Sequence, residues 1–181
     1  MEPILLFLDI EGVLSVDGVD TSAEWLDKHN GPVYPVQGAR QFLEVIDRSP
    51  WIQPFWISSW GQESTLWNKW SKTRCWPVAY PLSSNRLREA RTQFSTQTSD
   101  GKYLAARWHS FKWDQRIVWI EDGFSQETEQ WAIKDGRVQL VNTYPPIKDA
   151  VRNHWRKGIR QWNINLIGNA LNIKENIEVS S

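Results

Sequence analysis

An apolar run, Ile4-Leu5-Leu6-Phe7-Leu8, closes directly on an acidic residue, Asp9, and this junction constrains the chain more than any other stretch. Successive large apolar side chains without polar alternation suit a strand covered on both faces, as in a parallel sheet held between helices. A carboxylate at the tip of such a strand sits where water is scarce, so it needs hydrogen bonds or a cation to offset lost hydration. Similar short runs lie at 54–57, 117–120 and, with one polar interruption, 138–141. Between them run helical patterns. Ala39, Phe42, Leu43 and Ile46 are spaced i, i+3, i+4, i+7 before a Ser49-Pro50 stop, and Ile147, Ala150, Val151, His154 and Trp155 repeat that spacing. Weaker stripes pass through Leu66, Trp67 and Trp70 and through Leu104, Trp108 and Phe111. The alternation predicts a Rossmann-like, doubly wound α/β fold, with a parallel sheet of about five strands.

A chain of 181 residues suits one domain. It divides here into an α/β body, 1–158, and a tail, 159–181, whose Trp162, Ile164, Leu166 and Ile167 are expected to dock on the body. Residues 14–37 carry Gly18, Gly31, Pro32 and Pro35 among polar neighbours and read as a flap or long loop. Residues 82–101, rich in Ser, Thr, Gln and Arg, read as a mobile loop. No interval between the strand-end motifs would hold a large independent lid, which predicts an open site. The single Cys75 has no partner for an intramolecular disulfide, which favours a reducing, cytoplasmic setting. The first apolar run is too short and too acidic at its ends for a secretion signal. No stretch approaches the roughly 20 apolar residues of a membrane span, so no membrane partner is expected.

The formal net charge of zero conceals segregation. Residues 1–68 carry 3 basic and 10 acidic side chains, and residues 69–116 carry 10 and 3. Lys69, Lys72, Arg74, Arg86, Arg88 and Arg91 are interleaved with Trp67, Trp70 and Trp76, a mixture that could grip a polyanion by charge and stacking. The same charges also fit solvated helix and loop faces. The 13 tryptophans are expected mostly in the core, Trp56 and Trp119 within strands, whereas Trp60 is placed to form a wall of the site.

In a doubly wound sheet, ligands collect beyond the carboxyl ends of the strands, where strand order reverses. Asp9-Ile10-Glu11-Gly12 follows the first strand, Ser58-Ser59 follows the second apolar run, and Glu121-Asp122-Gly123 follows the third. If these strands are neighbours, hydroxyls and carboxylates meet in one volume. Such hard oxygen ligands suit Mg²⁺, which also takes ligands from phosphate.

These segments resemble the haloacid dehalogenase (HAD) superfamily, whose phosphatases carry an apolar strand followed by D-x-D-G-[TV]-L. The resemblance covers roughly residues 4–142. Phe55-Trp56-Ile57-Ser58-Ser59-Trp60 and Trp119-Ile120-Glu121-Asp122 look most like the small HAD domains of Swiss-army-knife RNA-repair proteins. The resemblance implies that Asp9 is the nucleophile of a Mg²⁺-dependent phosphatase with an aspartyl-phosphate intermediate, and that Glu11 is its acid and base. It further implies that Mg²⁺ is held by Asp9, Asp122 and the backbone carbonyl of Glu11, and that Ser58 and a lysine bind phosphate. The implied substrate is a phosphoester, with a nucleic-acid end as one candidate.

Three assignments stay open on sequence. Lys102, at the start of a helical stripe and 19 residues before Glu121, competes with Lys112, which is nine residues before it. Ser59 competes with Ser58, since neighbours on a pleated strand face opposite ways. Glu11 is one methylene longer than the family's usual aspartate, although the enolase-phosphatase branch also has D-I-E-G. That departure leaves a second reading: a catalytically degenerate HAD-like domain that binds phosphate or nucleic acid. His29, His109 and His154 are too scattered to suggest a zinc site.

Overall fold

In the computed structural model, residues 1–15, 26–28, 31–33, 35–36, 38–143 and 161–173 are described. The body is a four-stranded parallel sheet of β1 (Ile4–Leu8), β4 (Ile52–Trp56), β5 (Arg116–Glu121) and β6 (Val138–Asn142), in the order β4-β1-β5-β6. β2 (Leu26–Lys28) and β3 (Gly31–Val33) form a separate antiparallel pair within the expected flap. Among the described residues the sheet thus has four strands and not about five. The nearest thing to another is a single bridge, Val78 to Trp56, held by Trp56 N–H to Pro77 O and Ala79 N–H to Trp56 O.

β1 is hydrogen-bonded on both sides and covered on both faces, and all five of its residues are buried. The chain leaves β1 towards β4 on one side and later returns to β5 on the other, so strand order reverses at β1. Ile4, Leu6 and Leu8 point into one core with Phe42, Leu43 and Ile46 of α1 (Ala39–Arg48) and Trp67 of α2 (Thr65–Ser71). Leu5 and Phe7 point into the other, with Ala105 and Ala106 of α4 (Gly101–Ser110) and Ala132 of α5 (Gln126–Asp135). Helices on both faces follow from this two-sided strand.

Residues 84–93, expected within a mobile loop, form helix α3 (Ser84–Gln93). Ser83 caps it by accepting from Arg86 N–H, and Ala90 is fully buried in a small cluster with Leu104 and Tyr103 of α4. Helix-forming Arg, Glu, Ala and Gln residues outweigh the scarcity of apolar anchors. The tail supplies α6 (Gln161–Leu171), where Ile167, Ala170 and Leu171 are buried in the first core and the Trp51 indole donates to Leu171 O at 3.0 Å. Leu166 is instead 42% exposed. Trp162 and Ile164 fall within α6, but their side chains, and the expected helix near 147–155, lie outside what is described of the chain. Among the described residues, no helix is long and apolar enough to cross a membrane.

The tryptophans are mainly structural. Trp56 and Trp76 stack at 4.8 Å, and both are tied to Asn68, whose Oδ1 accepts from Trp56 Nε1 at 2.7 Å and from Trp76 N–H at 3.2 Å. Asn68→Ala leaves two buried donors without their acceptor, so an expected loss of about 2–3 kcal/mol should appear in urea denaturation.

Candidate active site

The register sets Leu8 level with Trp56 and Ile120, which places Asp9 and Ser58 just past their strands and Glu121 as the last residue of β5, at the point of reversal. Asp9 N–H donates to Ile120 O at 3.1 Å, so backbone pairing with β5 persists up to the acidic residue. Side chains alternate along β5, and Ile117 and Trp119 share the face of Phe7. Glu121 continues that face. It is 3% exposed and Asp9 is 2% exposed.

Lys102, in the first turn of α4, enters from the helical layer. Its Nζ lies 3.2 Å from Asp9 Oδ2 and donates to Glu121 Oε2 at 2.9 Å and to Oε1 at 3.1 Å. Lys112 lies past the end of α4, exposed, with its ammonium 5.4 Å from the Phe111 ring. The lysine brought to Asp9 is therefore Lys102.

Asp9, Glu121 and Asp122 each offer a carboxylate oxygen within 4.8 Å of the others. Burial pushes the Glu121 carboxyl up to about 10, reinforced by its hydrogen bond to Asp9 and the charge there, against the pull of Lys102. Burial likewise raises Asp122, opposed by its hydrogen bond with Glu121 and reinforced by the Asp9 charge. Burial alone would depress the Lys102 ammonium, but the charges of Asp9 and Glu121 outweigh it and hold its pKa above the usual lysine value. Fully ionised, three carboxylates and one ammonium leave two negative charges, a balance that one divalent cation closes. The donor set fits such an ion: all are hard oxygens, and Asp9 Oδ1 is buried without a hydrogen-bond partner.

Gly12 explains how Asp122 comes so close. Its φ is +73°, and a Cβ there would stand 2.2 Å from Asp122 Oδ2. The backbone leaves β1 through one tight turn, with Leu14 N–H and Ser15 N–H both donating to Ile10 O, and Thr143 Oγ1 donates to Gly12 O at 3.1 Å. Thr143 N–H also donates to Glu121 O, so the end of β6 ties Gly12 to the acidic pair. Gly12→Ala is expected to cost about 1–2 kcal/mol from the left-handed backbone alone, and to displace Asp122. Thermal denaturation with and without Mg²⁺ would read both effects, the second as a reduced Mg²⁺-induced rise in Tm.

Glu11 stands apart from the acidic cluster. It is exposed, and its Oε2 accepts from Ser59 Oγ at 2.7 Å. Ser58 is fully buried and its Oγ accepts from Trp60 N–H at 3.4 Å, which stabilises the turn into the 3-10 segment Gly61–Ser64. Of the two hydroxyls, Ser59 is the one open to solvent. Trp60 is no wall of the site: it is 4% exposed and packs 5.9 Å from the Trp67 ring in the first core.

Sequence reasoning favoured Asp122 and left Glu121 secondary. The signal for Glu121 was the alternation Ile117, Trp119, Glu121, once the register set it beside Asp9. Asp100 was not singled out by the sequence. Its Oδ1 caps α4 by accepting from Tyr103 N–H, and its Oδ2 accepts from Ser125 Oγ at the start of α5, so one carboxylate joins the helices flanking the acidic pair.

The basic stretch fits solvated faces better than a stacking surface. Lys69, Lys72, Arg74, Arg86, Arg88 and Arg91 are exposed, but Trp67 and Trp76 are core residues, and Trp70 lies half-buried beneath the Arg40 guanidinium at 4.6 Å. Arg74 is spent on Asp47, at 2.9 Å. Comparison with family models, with curated proteins and with solved structures returns no match to this chain.

Proposed function

We propose that this chain is a divalent-metal-dependent phosphomonoester hydrolase in which Asp9 is the nucleophile, as in the HAD superfamily that its motifs resemble. The observation that carries this reading is the convergence of Asp9, Glu121, Asp122 and Lys102 at the switch point of the sheet, with Asp9 Oδ1 lacking a partner. Asp9 and Asp122, with Glu121 beside them, would hold Mg²⁺. When bound, the ion would supply Lewis-acid neutralisation of phosphoryl oxygens.

The residues of the chain then divide the work. A carboxylate oxygen of Asp9 attacks phosphorus, the P–O bond to the leaving alcohol breaks, and an aspartyl phosphate forms. Glu11 gives its proton to the departing alkoxide, then takes one from the water that attacks the same phosphorus, and inorganic phosphate leaves with Asp9 restored. Its exposed carboxyl and its hydrogen bond from Ser59 suit this exchange. Lys102 offsets negative charge on the phosphoryl group, while the Ser59 hydroxyl, donated to Glu11, holds that acid in place. Exposed Arg86, Arg88 and Arg91 support a polyanionic substrate such as a nucleic-acid end by charge alone.

The test is phosphate release from a panel of aryl, nucleotide, sugar and oligonucleotide phosphates, with Mg²⁺ and after chelation. Mg²⁺-dependent release on any of these supports the proposal, and its absence across the panel overturns it. One observation favours the degenerate-domain reading: Asp9 is sealed beneath Lys102 and Glu121. That reading expects oligonucleotide binding that weakens steeply with salt, survives Asp9→Asn and is accompanied by no turnover.

A further inference from the structure

A second feature of the carboxyl edge is a tyrosine that no strand-end motif contains. After α2 the chain returns along β4, and Val78 pairs with Trp56 as a parallel bridge. Tyr80, two residues later, is therefore level with Ser58, at the edge where Asp9 ends β1. It is half-buried, packed against the core that Phe7 and Ala105 share, on the face of the sheet that carries Asp9, Glu121 and Lys102.

Two glycines show how closely this segment is applied to the site. A Cβ on Gly101, the residue before Lys102, would meet Tyr80 Cε2 at 2.7 Å and its hydroxyl oxygen at 3.4 Å. A Cβ on Gly61 would meet Pro81 Cδ at 3.3 Å, and Gly61 N–H donates to Ser58 O. Tyr80-Pro81 thus spans from the turn that carries Ser59 to the helix start that carries Lys102. A phosphoryl group on Asp9, beside Lys102, would have its leaving group near an aromatic ring.

We propose that Tyr80 is the specificity-determining residue of this site: its ring is the wall on which a planar ring of the leaving alcohol stacks, selecting nucleoside-type phosphoesters over aliphatic ones. This deepens the hydrolase reading and rests on it for the identity of the phosphoryl site. Stacking is tolerant of ring type and is lost when the aromatic residue is truncated. Gly101 belongs to the same device, because any side chain there would push the tyrosine off the helix start.

The experiment compares adenosine 5′-monophosphate, p-nitrophenyl phosphate and glycerol 3-phosphate with wild type, Tyr80→Phe and Tyr80→Ala. Steady-state kinetics with Mg²⁺ is joined by calorimetric binding to the same Tyr80 variants in an Asp9→Asn background. The expected result is that Tyr80→Ala lowers the preference for adenosine 5′-monophosphate over glycerol 3-phosphate by about 10-fold, in KM and in Kd, while Tyr80→Phe keeps it. A loss confined to p-nitrophenyl phosphate would overturn the nucleoside assignment. Equal losses on ringed and ringless substrates, or none, would overturn the wall itself. If the calorimetric preference follows Tyr80 but no phosphate is released by the wild type, the hydrolase reading falls and the stacking wall stands. Asp9-dependent release with a preference indifferent to Tyr80 removes only the wall.

Discussion

Asp9→Asn is expected to lower phosphate release by about 10³-fold or more, since an amide cannot serve as the nucleophile. The substitution keeps the shape of the side chain, and Lys102 retains Glu121 as a partner at 2.9 Å. It also removes a buried negative charge from beside a second carboxyl. Stability should therefore hold or rise, and Tm measured without metal should not fall below wild type. That combination separates a chemical role from a structural one. Residual release above about a tenth of wild type would sink the nucleophile assignment, and so would a variant inactive only because it is unfolded. With Mg²⁺ titrated against the rise in Tm, Asp9→Asn should also need more metal, because one of the carboxylates near Asp122 is gone.

The parts of the fold readable in the sequence were those where one physical term dominates. Ile4–Leu8, buried on both faces, can be little other than a central parallel strand, and its acidic end announces a site. Helix α1 was equally plain, from its apolar stripe and its Ser49-Pro50 stop. Helix α3 was not, because its stability comes from helix-forming polar residues, the Ser83 cap and one small buried residue, Ala90, none of which yields a hydrophobic period. The acidic centre was only half legible. Asp9 and Asp122 stand out by position, but Glu121 joins Asp9 through cross-strand register, which is a property of two segments over 100 residues apart and not of either alone. Lys102 and Lys112 could not be separated until the start of α4 was fixed by the Asp100 cap. Trp60 misled for a related reason: proximity to Ser58-Ser59 in sequence says nothing about which side of the turn an indole takes, and the larger apolar burial lay towards Trp67.

Lys102→Met is expected to be the most destabilising single change at the site, by about 3–5 kcal/mol in the absence of metal, because it leaves the buried Asp9 carboxylate without its cation and Glu121 without its donor. The stem of methionine fills much of the same space, so the loss reports charge more than volume. Its pH dependence has a definite sign. With the ammonium removed, its pull on Asp122 is lost and that carboxyl, already raised by burial, rises further, whereas Glu121, pushed from its ordinary 4.5 up to about 10 with Lys102 present, keeps its proton through the neutral range in both proteins. A carboxyl whose pKa is raised on folding binds its proton more tightly in the folded chain, so its stabilising contribution is present at low pH and fades as pH rises towards the raised value. The gap between Lys102→Met and wild type should therefore widen once pH rises above the wild-type value of the Asp122 carboxyl, and level off above the higher value it takes in the variant, in Mg²⁺-free urea denaturation. Adding Mg²⁺ should narrow it, since a divalent ion at Asp9, Glu121 and Asp122 supplies the missing positive charge. A gap indifferent to both pH and Mg²⁺ would show that Lys102 contributes packing alone, and that the acidic cluster is not the cation site its geometry suggests.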